Sequence, residues 1–262
     1  MKLALATLTT DFGLRDPHVA MMKGVIYGVA PQARVVDISH EIAPQGVAEA
    51  AMALKQAVPF FPRHSLHAVV VDPGVGSQRD IVLVRTAEAL FLAPDNGVLT
   101  YVLDGRKILS AQAVKNPHYF LPQVSQTFQG RDIFAPVIGH LLRGVNPHLF
   151  GPLVPGLQLL PSLPAYTLHE GTARGLVLSF DHFGNLQTNL PQGPFATHPI
   201  SAVLVRGRII PGVSSHYAAV AAGGLGAVWG SQGLLEIFQR NGSAQRLLEA
   251  RVGDEVALSM AR

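Results

Sequence analysis

The sequence predicts an α/β N-terminal domain with a mostly parallel sheet flanked by helices, followed by a smaller all-β, barrel-like C-terminal domain. Apolar runs break off at an aspartate and a glycine-bearing turn in LATLTTDFG, LHAVVVDPGVG and GLVLSFDHFG, as buried strands do where they leave a sheet and expose their first polar residue. Segments with helical spacing of apolar residues separate the early runs. A proline-rich stretch from Asn146 to Pro164 then gives way to short β-rich runs punctuated by Gly, Asn and Ser.

In chain order, residues 3–8 read as the first buried strand. A helix over Pro17–Val29 follows, with Val19, Met22, Val25, Ile26 and Val29 on one face. VVDISHEI is a further apolar run, and Val47–Val58 is a second helix aligning Val47, Ala50, Ala51, Leu54 and Val58. Residues 67–72, IVLVRTA and LFLAP read as strands. A third helix, DIFAPVIGHLLRG, starts with the Asp132 carboxylate as its cap and ends at Gly144. No regular helix crosses the prolines of 146–164, so the domains are drawn as 1–155 and 156–262. In the second, GLVLSFD, SAVLVRGRII, GAVWG, LLEIF and DEVALSM are its strands.

With 262 residues, 48% of them hydrophobic, the chain can bury a substantial core. A formal charge of +3 without Lys/Arg clusters argues against nucleic acid as a partner. Cysteine is absent, which excludes disulfides, thiolate nucleophiles and Cys-ligated zinc and fits a reducing compartment, so a cytoplasmic location is expected. MKLALATLTTDFG meets an aspartate too soon for a signal peptide, and no run is long enough to span a membrane.

Aspartates at strand ends beside glycine turns are where α/β proteins bind small polar ligands, which singles out Asp11, Asp72 and Asp181. Taken singly, each is as well read as a cap or turn residue. Arg79 can pair with Asp72 across the turn they flank, as a structural salt bridge or as part of a site. The turn is not a phosphate loop, since the Lys-Ser/Thr ending is missing. Ser125–Asp132 is the densest polar cluster and opens the third helix. FDHFGNLQTN adds Asn185 and Asn189, and WGSQGLLEIFQRNGSA adds Ser231, Glu236 and Asn241. His18, His40, His67 and His140 form no HExxH or HxH pair, so no metal is expected, and His40 is read as a structural hydrogen-bonding residue near the same sheet edge as Asp11.

In order along the chain, LTTDFGLRD, VVDISHEI, AVVVDPGVGSQR, APDNGVLT, TFQGRDIFAP, FDHFGNLQTN and GSQGLLEI with NGSA resemble the S-adenosyl-L-methionine (SAM) hydroxide adenosyltransferases, hydrolases related to the fluorinases and chlorinases. The resemblance implies a homotrimer whose sites lie between one subunit's N-terminal domain and its neighbour's C-terminal domain. It further implies attack of water or hydroxide at the ribose 5′ carbon of SAM, giving adenosine and L-methionine without metal or cofactor. By the same resemblance, Asp11 accepts hydrogen bonds from the ribose hydroxyls and Phe128 and Tyr217 pack on the nucleoside. Asp181, Asn185, Ser231 and Glu236 fall where the family holds the methionine end and the adenine. The family's water-handling Asp and Arg match Asp72 and Arg79. Its histidine does not, because TFHGRD reads TFQGRD here and Gln129 occupies that slot. Glutamine can hydrogen-bond a water but cannot take its proton near neutral pH. The alternative is therefore an adenosine- or SAM-binding protein with little or no turnover. Halide transfer fits poorly, since Asp72 would repel the anion.

Overall fold

The computed structural model describes residues 3–261. Two compact units meet at Ser162/Leu163. That division lies in the proline-rich stretch but later than the boundary drawn at 155/156. Residues 156–162 stay with the first unit because Gln158 N donates to Asp95 (2.8 Å) and Leu160 N to Thr100 Oγ1 (2.8 Å).

The first unit runs β1 (Ala6–Thr10), α1 (His18–Val29), β2 (Val35–Ser39), α2 (Val47–Ala57), β3 (Ser65–Val70), β4 (Ile81–Thr86), β5 (Ala89–Pro94), α3 (Thr100–Leu103), β6 (Ile108–Ala113) and α4 (Ala135–Leu142). The strands form one six-stranded sheet ordered β2-β1-β3-β5-β4-β6. Because side chains alternate across a strand, Leu66, Ala68 and Val70 of β3 face a core with Met22 and Ile26 of α1 and Val137 and Ile138 of α4. Val69 and Val71 face the opposite core, with Ala50 and Leu54 of α2. Burial on both sides explains why these strands read as continuous apolar runs.

The expectation of a mostly parallel sheet holds only in part. β1–β2, β1–β3 and β3–β5 are parallel, but β4 is antiparallel to both β5 and β6, so the sheet is mixed. The cause is local. Thr86 Oγ1 accepts from Glu88 N and Ala89 N, closing a turn far too short for the crossover that parallel strands require.

The third helix also begins differently. Asp132 is not its cap but lies in a π-helical turn, Gly130–Phe134, that runs straight into α4. Pro136 has no N–H to offer the Asp132 carbonyl, which instead accepts from Leu121 N (2.9 Å). The fully buried Asp132 carboxylate takes Ser125 N (2.8 Å) and Arg131 Nε (2.6 Å), tying the preceding loop to the helix start.

The second unit contains β7 (Thr167–His169), β8 (Thr172–Phe180), β9 (Leu186–Pro191), β10 (Ile200–Val205), β11 (Arg208–Pro211), β12 (Leu225–Trp229), β13 (Leu234–Gln239), α5 (Ala244–Leu248) and β14 (Glu255–Met260). All strand pairings between these elements are antiparallel, in the order β11-β10-β14-β8-β9-β13-β12. A bridge from Ser214 to Val228 brings the two ends of that order together, giving the barrel-like closure expected. SAVLVRGRII is two strands, because Arg206 and Gly207 both take positive φ in a tight hairpin turn. The inner wall is apolar, with Val177, Leu186, Phe195, Val203, Ile237 and Leu258 buried.

Candidate functional site

Asp11 directly follows β1 and Asp72 lies just beyond β3, so both carboxylates stand at the same edge of the sheet. Asp11 Oδ2 accepts from Gln45 N (2.8 Å). Its other oxygen has no partner among the described residues.

Asp72, Arg79 and Gln129 are brought into direct contact. Arg79 forms a two-pronged pair with Asp72, Nε to Oδ1 (2.8 Å) and Nη2 to Oδ2, and Nη2 also donates to Gln129 Oε1 (2.7 Å). The Arg79 and Asp72 side chains are only 11% and 5% exposed. Gly76, at φ 81°, lets the turn between them close on the loop before α4. A Cβ there would lie 2.9 Å from the Gln126 carbonyl oxygen. Within this assembly Arg79 Nη1 is buried and has no acceptor. A guanidinium N–H left unsatisfied in a buried site is costly.

Phe128 stands beside this cluster in edge-on contact with Phe12 (5.8 Å between centroids) and His18 (5.0 Å), while the Arg131 guanidinium sits 5.2 Å from its ring centre. Phe12 and His18 are members of this aromatic group that their sequence positions did not reveal. Behind Asp11, His40 Nδ1 bonds Thr10 Oγ1 (2.9 Å) and its carbonyl accepts from Gly13 N (2.7 Å). His40 Nε2 lies 3.1 Å from Asp37 Oδ1, an ion-pair distance without hydrogen-bond alignment, and Asp37 pairs with Lys23 (2.6 Å). Burial raises the Asp37 pKa, but the Lys23 and His40 contacts outweigh it and hold the carboxyl below its usual value. His40 thus has the structural role its context indicated, fastening the Asp11–Gly13 loop.

In the second unit, Asp181, Asn185 and Tyr217 line one open cleft of about 750 Å³ that also includes Phe183 and Arg240. Asp181 is engaged by its own turn, accepting from Phe183 N, Asn185 N and Asn185 Nδ2 at 2.8–2.9 Å, so it shapes the cleft wall. Tyr217 donates to Glu236 Oε2 (2.8 Å). Burial first, then Glu236, pushes the phenol up to about 12, so it stays protonated as a donor. Arg240 Nη1 holds the Tyr217 segment through the Ala218 and Val220 carbonyls, a latch that no motif marked. Ser231 is exposed on the β12–β13 turn and does not line this cleft. Among the described residues, no group of three or more His, Cys, Asp or Glu is placed to hold a metal ion.

Comparison with known proteins places these features in a wider set. The SAM hydroxide adenosyltransferase N-terminal domain family matches residues 6–151, and the corresponding C-terminal domain family matches residues 175–257. A protein of Thermus thermophilus named (R)-S-adenosyl-L-methionine hydrolase is 40% identical over 256 residues, covering 95% of this chain and 97% of that protein. A hydrolase of the same name from Methanocaldococcus jannaschii is 29% identical, covering 98% and 96%. A fluorinase from an Actinoplanes species is 26% identical over 69% of this chain and 70% of its own. Among solved structures, a conserved protein of Thermotoga maritima superposes with a TM-score of 0.90 at 32% identity, covering 97% of this chain and all of the other.

Proposed function

This chain belongs to the SAM hydroxide adenosyltransferase family, and on that premise we propose that it hydrolyses S-adenosyl-L-methionine to adenosine and L-methionine, with Asp72, Arg79 and Gln129 holding the attacking water. The observation that carries the site assignment is Arg79, clamped to Asp72 and Gln129 with its remaining nitrogen buried and unpartnered. The water oxygen forms a bond to the ribose 5′ carbon as the carbon–sulfur bond breaks. The sulfur leaves as the neutral thioether of methionine, and the water's proton passes to Asp72 and on to solvent. A sulfonium needs no acid to leave, so the reaction as proposed requires neither metal nor cofactor. Alignment of water and carbon is the main demand, and positioning can supply about 7–11 kcal/mol.

Asp11 keeps one carboxylate oxygen free, which suits it to the ribose hydroxyls, and Phe128 offers a ring for the nucleoside. Tyr217 joins Phe128 in packing on the nucleoside, and Asp181, Asn185, Ser231 and Glu236 are assigned to the methionine end and the adenine. We place the complete site between the first unit of one subunit and the second unit of its neighbour in a homotrimer. Exposed apolar side chains support this: Leu14, close to Asp11, and Phe183, on the second cleft, are each 71% exposed. The cysteine-free chain suits the cytoplasm. The alternative of a binding protein with little turnover finds no support in relatives named as hydrolases.

The test is product formation from SAM in heavy-oxygen water. Adenosine and methionine should appear in equal amounts, with the label in the adenosine 5′-hydroxyl. Asp72→Asn should lower kcat by roughly 10²–10⁴. Absence of adenosine from both the wild-type chain and its Gln129→His variant would overturn the proposal.

A further inference from the structure

We propose that the first unit carries a second binding site, at the sheet edge opposite Asp11 and Asp72, for a small carboxylate with a short apolar chain. A cavity of about 300 Å³ lies there, lined by Arg85, Leu90, Leu141, Val145, Pro147 and His148 among others. Its size is at the lower end of small-molecule pockets. Because β4 runs against its neighbours, Arg85 near its end lies level with Leu90 at the start of β5 and directly opposite Ser110 on β6.

Arg85 in the cavity wall, and Ser110 and Gln112 on the neighbouring strand behind that wall, are short of partners. Among the described residues Arg85 has neither a carboxylate within ion-pair distance nor a hydrogen-bond acceptor, and its Nε is buried. Ser110 Oγ is buried and unpartnered as well. Gln112, fully buried on the same strand face as Ser110, gives its Nε2 to His148 Nδ1 (2.9 Å) and leaves Oε1 without a donor. With His148 Nδ1 accepting that bond, its Nε2 carries the ring proton and is a further donor.

An unpaired guanidinium beside an imidazole donor selects an anion. Its planar fork matches a carboxylate in particular. Leu3, Leu90, Leu141 and Val145 give the wall an apolar side, and Asn146, the other polar side chain there, has its Oδ1 taken by His148 N (3.1 Å), which favours a short hydrocarbon chain over a bare inorganic ion. None of these residues belongs to the SAM site, so the inference does not depend on the proposed reaction.

Hexanoate titrated calorimetrically onto the full chain is the probe. Saturable binding is expected, weakened at least about tenfold by Arg85→Gln. Val145→Phe, which fills the cavity and leaves the charge, should weaken it similarly and keeps the test decisive if Arg85→Gln folds poorly. Adenosine should neither displace hexanoate nor bind differently to the variants. The proposal is overturned by a cavity that holds only water, seen as no saturable heat, by binding that survives both substitutions, or by competition with adenosine. Equal affinity for acetate or inorganic phosphate would overturn the apolar-chain assignment.

Discussion

In the proposed reaction the chemistry turns on Gln129. Its Oε1 is occupied by Arg79 Nη2, so Nε2 remains to donate a hydrogen bond to water or substrate. A donor orients a water but cannot deprotonate it, which under the proposed reaction leaves Asp72 as the acceptor of the proton. Gln129→His should therefore raise kcat, by up to roughly 10²-fold, and add an inflection near neutral pH that the wild-type profile lacks. A pH–rate profile of the two proteins checks this. An unchanged profile in the variant would mean that the imidazole does not reach the water. The lone Asp11, Asp72 and Asp181 motifs were legible in sequence because a buried strand that ends in a carboxylate stands out against its apolar run. Whether each carboxylate serves a ligand or its own turn was not legible. Asp181 proves engaged by its own turn, whereas Asp11 keeps an oxygen free, and the difference lies in backbone N–H groups that only folding presents.

At the scale of elements, α1 and α4 pack closely because Gly139 has no side chain. A Cβ there would lie 2.7 Å from Val29 Cβ. Gly139→Ala should destabilise the chain by about 1–2 kcal/mol in urea unfolding, overpacking outweighing the gain in helix propensity. Stabilisation would show that Val29 can move aside. Inside β3, His67 is buried against Thr7 and Phe91, and burial with help from Arg106 lowers its pKa from 6.5 to about 4. It is neutral when folded, so below 6.5 the unfolded chain binds the extra proton and stability falls as pH drops, with the loss complete below about 4. The linkage amounts to about 3 kcal/mol. Melting temperatures across this window should fall for the wild-type chain and stay flatter for His67→Gln. Equal slopes would assign the loss elsewhere. Asp37 and Asp132, held below the ordinary 3.8, act only at still lower pH. Periodicity found α1 and α2 because one face of each is buried, and the strands stood out as continuous apolar runs because they are buried on both faces. It missed the direction of β4, which depends on a turn of a few residues.

For the whole molecule, the trimer proposal predicts a particle of three 27.9 kDa chains in light scattering. It also predicts complementation: Asp72→Asn and Glu236→Gln subunits, each inactive alone, should regain activity when mixed and reassembled, because some sites receive both intact halves. A monomer, or mixtures as inactive as their components, would remove the shared site. By itself the sequence determined the two-unit plan, the strand-end carboxylates and the family, since these are written in local periodicity, in prolines and in motifs read in order. Only the tertiary structure decided that β4 reverses, that Asp132 braces a π-turn and that Arg79 joins Asp72 to Gln129. The last joins residues 50 positions apart, and the first two rest on short-range hydrogen bonds from Thr86 and to Asp132, so all three depend on side-chain bonding geometry that apolar periodicity does not encode.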